Sequence, residues 1–137
     1  MSARNALAQE SIEAGERLLR RLEEQGCAVP AAVWSYAPDI NEWRLYMTIR
    51  SATQHGAATG AEMVSQAISS LRTEEDFPLT RQDIAPVPSD HVVIATLAAA
   101  IGTGPALARL RIQGTRVNGA LIEDALVYRL HKAALAG

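Results

Sequence analysis

Cysteine occurs once, at Cys27, so no disulfide can form within the chain and nothing points to an oxidising compartment. No run of cations flanks that residue to lower its pKa, which argues against a reactive thiol. Lysine also occurs once, at Lys132. A G-x-x-x-x-G-K-[ST] phosphate loop is therefore absent, as is a nuclease core that sets a lysine beside paired carboxylates. His55, His91 and His131 stand far apart, and neither H-E-x-x-H nor C-x-x-C occurs, so no metal site and no cofactor is expected. There is no G-x-S-x-G elbow. Gly102-Thr103-Gly104 opens like a dinucleotide fingerprint, but it follows a helical pattern and Leu107 stands at the third glycine position. The longest apolar run, Val92 to Ile101, is too short to span a bilayer, which takes about 18 residues. Glu10, Glu13 and Glu16 interrupt any signal-peptide stretch near the start. A soluble cytoplasmic protein, with no membrane partner, is expected.

The net charge of −2 gives no general attraction to nucleic acid or anionic lipid. Its placement is uneven. Residues 1–104 carry 8 arginines against 13 acids, whereas residues 105–137 carry 4 arginines and Lys132 against 2 acids. Arginine outnumbers lysine twelve to one and alanine fills 25 positions, a balance read as GC-rich, bacterial codon usage.

Aromatic residues are few, and four of the six fall within thirteen positions: Trp34, Tyr36, Trp43 and Tyr46. They sit in two alternating runs separated by Pro38-Asp39-Ile40-Asn41-Glu42, which reads as a β-hairpin. Alternation puts Trp43, Leu45, Met47 and Ile49 on one face and Arg44, Tyr46, Thr48 and Arg50 on the other. Pro38 and Asp39 suit the middle of a type I turn, and Asn41 suits the left-handed position that closes a four-residue loop. That loop sets Tyr36 opposite Trp43 and Trp34 opposite Leu45, and sends both tryptophans and Tyr36 into the core. A five-residue loop would instead set Tyr36 against Arg44 as a stacking platform.

The remaining pattern predicts an amphipathic helix over about 4–25, stopped by Gly26, and a second helix over about 59–73 with a Thr59/Glu62 capping box. A short strand over 82–87 follows, placed at an edge by Pro86 and Pro88. Ser89 is the expected cap of a third helix over 90–101. A second hairpin then turns at Asn118-Gly119, and its return strand, Ile122 to His131, is apolar on both faces, so it should be central. The order is α-β-β-α-β-α-β-β. It predicts a single α+β domain over residues 1–137, with a mixed, mostly antiparallel sheet of about five strands and three helices.

Chemistry-bearing residues are sparse. His55-Gly56-Ala57-Ala58-Thr59-Gly60 joins a strand to a helix, where backbone amides can hold an anion; His55, Gly56, Thr59 and Gly60 are the candidate ligand residues. Glu74, Glu75 and Asp76 read as a solvated cluster at a helix end. One of Glu123 and Asp124 must face inward, with Arg109, Arg111 or Arg129 as its partner in a structural ion pair. Arg44, Tyr46 and Arg50 on the first hairpin, with Arg109, Arg111 and Arg129 on the second, form the candidate interaction surface. The chain therefore reads as a non-catalytic protein-interaction domain whose partners include itself. Nucleic-acid or phosphate-ligand binding, through the arginine-rich C-terminal hairpin or the 55–60 loop, is the alternative. A small-molecule pocket or enzyme site between sheet and helices is the third reading, with His55, His91 and Glu62 as its test positions.

Overall fold

The computed structural model describes residues 7–37, 40–51, 60–117 and 119–132. Helix α1 spans Gln9–Glu24 and buries Ile12, Ala14, Gly15, Leu18, Leu19 and Leu22 along one side. Gly26, at φ 91°, ends the turn after it, in a left-handed conformation that favours glycine. Strands β1 (Cys27–Ala37) and β2 (Glu42–Ser51) form the first hairpin, and α2 (Gly60–Arg72) follows. A 3-10 turn at Arg81–Asp83 leads into β3 (Ile84–Pro86), then α3 (Val92–Ala100), β4 (Leu110–Val117) and β5 (Ala120–Leu130).

The five strands lie in the order β3-β2-β1-β5-β4. Only β2 and β3 run parallel; the other neighbours are antiparallel. This is the mixed, mostly antiparallel α+β sheet that the element order predicts. The first hairpin takes the four-residue register, with Ala37 opposite Glu42, Tyr36 opposite Trp43 and Trp34 opposite Leu45. Asn41 sits at φ 55°, as its turn position requires. Trp34 and Tyr36 are buried, whereas Trp43 is half-buried at the margin of the core.

Both faces of the sheet are covered. Ala32 and Trp34 from β1, Leu45 and Met47 from β2, and Leu126 and Tyr128 from β5 pack with α1 and α2. The alternate residues Ala31 and Val33 from β1, with Ala125, Val127 and Leu130 from β5, pack against Ile94 and Leu97 of α3. Residues 125–128 are all buried, which explains their continuous apolar run, although the middle strand is β1 and β5 lies beside it.

A β-bulge on β5 ties the layers together. Ala32 pairs with Arg129 and Val33 with Val127, so Tyr128 is an extra residue without a partner on β1. Tyr128 is fully buried beneath α1. Its hydroxyl accepts a hydrogen bond from Trp34 Nε1 at 2.8 Å and donates to the Ile12 carbonyl at 2.5 Å. A Cβ on Gly15 would overlap this hydroxyl, so the absence of a side chain at that helical position is what lets the ring reach the helix backbone. At the other end of α1, Arg21 meets Glu74 at 2.7 Å and Arg17 meets Glu75 at 2.8 Å.

Several boundaries differ from the sequence pattern. Helix α3 begins at Val92, and its cap is His91, whose Nδ1 accepts from Val93 N at 3.2 Å; Ser89 lies too far upstream to do so. Ala8 is still extended, so α1 begins at Gln9. The 82–87 strand shrinks to Ile84–Pro86 because Arg81–Asp83 close a 3-10 turn, in which Thr80 and Asp83 bond each other. Glu74 and Glu75 are held by arginines of α1 and do not form a purely solvated cluster. The Thr59 cap lies outside the described residues.

Removing the Tyr128 hydroxyl leaves Trp34 Nε1 buried without an acceptor, which costs about 1–3 kcal/mol. Urea unfolding of Tyr128→Phe should read that loss; an unchanged midpoint would contradict it. Burial also raises the Tyr128 pKa above its ordinary value of 10.0. Above pH 10 the unfolded chain therefore releases this proton and the folded chain keeps it, so stability falls as pH rises. Tyr128→Phe should lack that part of the alkaline decline.

Candidate functional site

Residues of β4 alternate between the two faces of the sheet. Leu110 and Ile112 lie opposite Val127 and Ala125 and face the α3 side, whereas Arg111 and Gln113 lie opposite Leu126 and Asp124 and face the α1 side. Asp124, only 3% exposed, is the inward-facing acid of the Glu123-Asp124 pair. It accepts from Arg111 Nε at 2.6 Å and Nη2 at 2.8 Å, and from Gln113 Nε2 at 3.3 Å. This bidentate geometry matches the planar guanidinium to the carboxylate and raises the Arg111 pKa, the hydrogen bond being the larger cause. The same guanidinium lies 5.5 Å from the Trp43 ring, which is itself 5.5 Å from Tyr36. A cation–π contact on the first hairpin thus exists, but Arg111 supplies it from across the sheet in place of neighbouring Arg44.

The other singled-out residues do not share one surface. Arg109 Nε meets Glu16 Oε2 of α1 at 2.5 Å, and Arg44 meets Glu42 at 3.3 Å. Tyr46 is half-buried, with its ring 5.3 Å from His91 beside α3, so it belongs to packing more than to an open surface. Arg129 is only 8% exposed. The bulge turns it toward α1, where its Nη1 donates to Glu23 at 2.7 Å and to the Val29 carbonyl at 3.0 Å, while its Nε is buried with no hydrogen-bond partner. Arg50 and His131 line the same small cavity as Arg129.

Of the 55–60 loop, His55, Gly56 and Thr59 lie outside the described residues. Gly60 opens α2 and stands against Pro86, where an added Cβ would come within 2.9 Å of the proline ring. His91 lies on the α3 side of the sheet and Glu62 on α2 across it, so these two do not converge. Among the described residues, no three histidines, cysteines or acids are grouped to hold a metal ion, and no helix is long and apolar enough to cross a membrane. Cys27 is buried, and burial raises its pKa, as expected of an unreactive thiol.

Two surfaces remain that alternation alone did not reveal. The first is the outer edge of β4. At the opposite margin of the sheet β3 has three residues and contains Pro86, whereas β4 runs for eight residues without proline. Leu110 on that strand is 42% exposed. The second is an open cleft of about 830 Å³ between the N-terminal end of α1, the tip of the first hairpin and residues 78–86. Trp34 and Trp43 line its floor, with Arg81, Asp83 and Ser11 among its polar groups. It was missed because its walls come from three segments far apart in the chain.

Arg111→Ala leaves the Asp124 carboxylate buried with Gln113 as its remaining side-chain donor among the contacts described above. A loss of about 1–3 kcal/mol in urea unfolding is expected. Arg111→Met combined with Asp124→Leu should recover most of it, since an apolar pair needs no counter-charge. A loss below about 0.5 kcal/mol for the single variant would place the pair with ordinary surface ion pairs. No family model, curated protein or solved structure matches this chain.

Proposed function

We propose that the protein is a non-catalytic association domain that pairs with a second copy of itself through the β4 edge. The observation that carries this reading is the eight-residue edge strand with exposed Leu110, at the margin of a sheet whose other edge is short and carries proline. An antiparallel pairing of two β4 strands is isologous, so one surface serves both partners. Arg109 and Arg111 are neutralised within their own chain by Glu16 and Asp124, which lowers the repulsion between two arginine-bearing edges. Leu110 and Ile112 of each chain would meet on the α3 side, where cross-strand apolar pairs stabilise a sheet. Gly114, at φ 56°, bends the strand, so the pairing is confined to Leu110–Gln113.

Light scattering should give twice the chain mass at tens of micromolar. Leu110→Asp, at an exposed position, should weaken the dimer about tenfold or more while circular dichroism stays native. A strictly monomeric wild type at high concentration would sink the reading.

A second reading, supported by the cleft, is a small-molecule site. Its volume falls within the range of about 300–1,000 Å³ usual for ligand pockets, and tryptophan lines it. Trp43 fluorescence, recorded in a Trp34→Phe variant during a compound-library screen, should then move saturably for some member. No saturable change across the library counts against it.

A further inference from the structure

We infer that the open cleft between the N-terminal end of α1, the tip of the first hairpin and residues 78–86 selects planar aromatic carboxylates. This rests on the reading of the cleft as a small-molecule site and names the class of ligand it takes. Two groups define the class. The Trp43 indole receives the ring, and the Arg81 guanidinium receives the carboxylate.

Both residues line the cleft and both are partly exposed. Arg81 opens the 3-10 turn, and its Nη1 donates to the Ile84 carbonyl at 3.0 Å, which holds the guanidinium at the cleft wall. Its Nε and Nη2 carry no hydrogen bond among the described residues and are not enclosed. These two nitrogens form the side-on fork that a carboxylate accepts from in a bidentate pair. Arg111 holds Asp124 with the same fork. The other charged groups lining the cleft are already engaged. Glu42 pairs with Arg44 at 3.3 Å. Asp83 accepts from Thr80 N at 2.8 Å and from the Thr80 hydroxyl at 3.2 Å, which closes the turn. Arg81 is therefore the lining cation without a carboxylate among the described residues.

Trp43 sets the sign of the ligand. The Arg111 guanidinium already lies 5.5 Å from its ring, and a cation in that place draws on the negative face of the indole. A second cation brought to the same ring meets that charge, whereas a neutral or anionic ring does not. A cationic ligand, which Asp83 would otherwise attract, is thereby disfavoured. Pro78 and Pro86 give the cleft apolar walls, and its volume of about 830 Å³ leaves room for a two-ring ligand.

The test is an NMR titration of the full chain with naphthoate, naphthamide and naphthylmethylamine, at neutral pH and constant ionic strength. Naphthoate should shift the Trp43 indole and Arg81 Nε–H signals saturably. It should bind about tenfold tighter than the amide, with the amine weakest. Arg81→Gln should bring naphthoate to the affinity of the amide and leave the amide unchanged. Arg81→Lys keeps the charge without the fork, so it should lose most of the preference while the spectrum of the free protein stays native. Equal affinity for naphthoate and the amide, or tightest binding of the amine, overturns the inference and leaves the cleft a small-molecule site. So does an undiminished naphthoate preference in Arg81→Gln. No saturable shift with any of the three overturns it as well; the cleft reading falls with it only when the compound-library screen is also empty.

Discussion

The hydrogen-bond relay from Trp34 through Tyr128 to the Ile12 carbonyl is the contact on which the arrangement depends. It joins the middle strand, its neighbour β5 and the first turns of α1 in one buried chain of donors and acceptors. Three features make it possible. The bulge sets Tyr128 apart from the β1 register, Gly15 leaves room for its hydroxyl, and the four-residue hairpin loop turns Trp34 inward. Loss of any one leaves a polar atom buried without a partner in a low-dielectric core. The same bulge decides where Arg129 goes, so the packing of α1 and the Arg129–Glu23 ion pair share one cause.

Charge is handled differently on the two sides of the sheet. On the α1 side, Arg17, Arg21, Arg109, Arg111 and Arg129 each find an acid, often from a distant segment. These pairs convert much of the arginine surplus of the last 33 residues into internal structure, which is why the basic C-terminal stretch does not form a broad basic face. On the α3 side the interface is apolar, and α3 itself is nearly uniform in hydrophobicity. Val92 at 68% exposure and Leu121 at 53% leave that side with uncovered apolar surface near the second hairpin.

Much of the fold was legible in the chain. The period-2 runs around the aromatic residues, Asn41 in its turn and the two-faced apolar run at 125–128 fixed elements whose stability comes from local alternation and turn chemistry. The inward acid was legible too, because adjacent strand residues must face opposite ways, although nothing local distinguished Asp124 from Glu123. The candidate surface was read less well. Arg44, Tyr46 and Arg50 were grouped because they share one face of β2, but α3 covers Tyr46 and the end of the sheet takes Arg50. The cap of α3 was misplaced because Ser89 and His91 can both accept a backbone hydrogen bond, and the start of the helix decides which is in reach.

By itself, the sequence determined the class and order of elements and the lack of any recognisable catalytic motif, since periodicity, turn residues and motif spacing are local properties; it left two registers open for the first hairpin, and the pairing of Ala37 with Glu42 decided between them. Only the tertiary structure decided which sides the helices cover, that β5 carries a bulge, that Arg111 pairs with Asp124 beneath Trp43, and that Arg50, Arg129 and His131 line one cavity. Each of these depends on register between strands and on contacts between residues far apart in the chain. Such contacts are set by the packing of whole layers, and no short window of residues carries them.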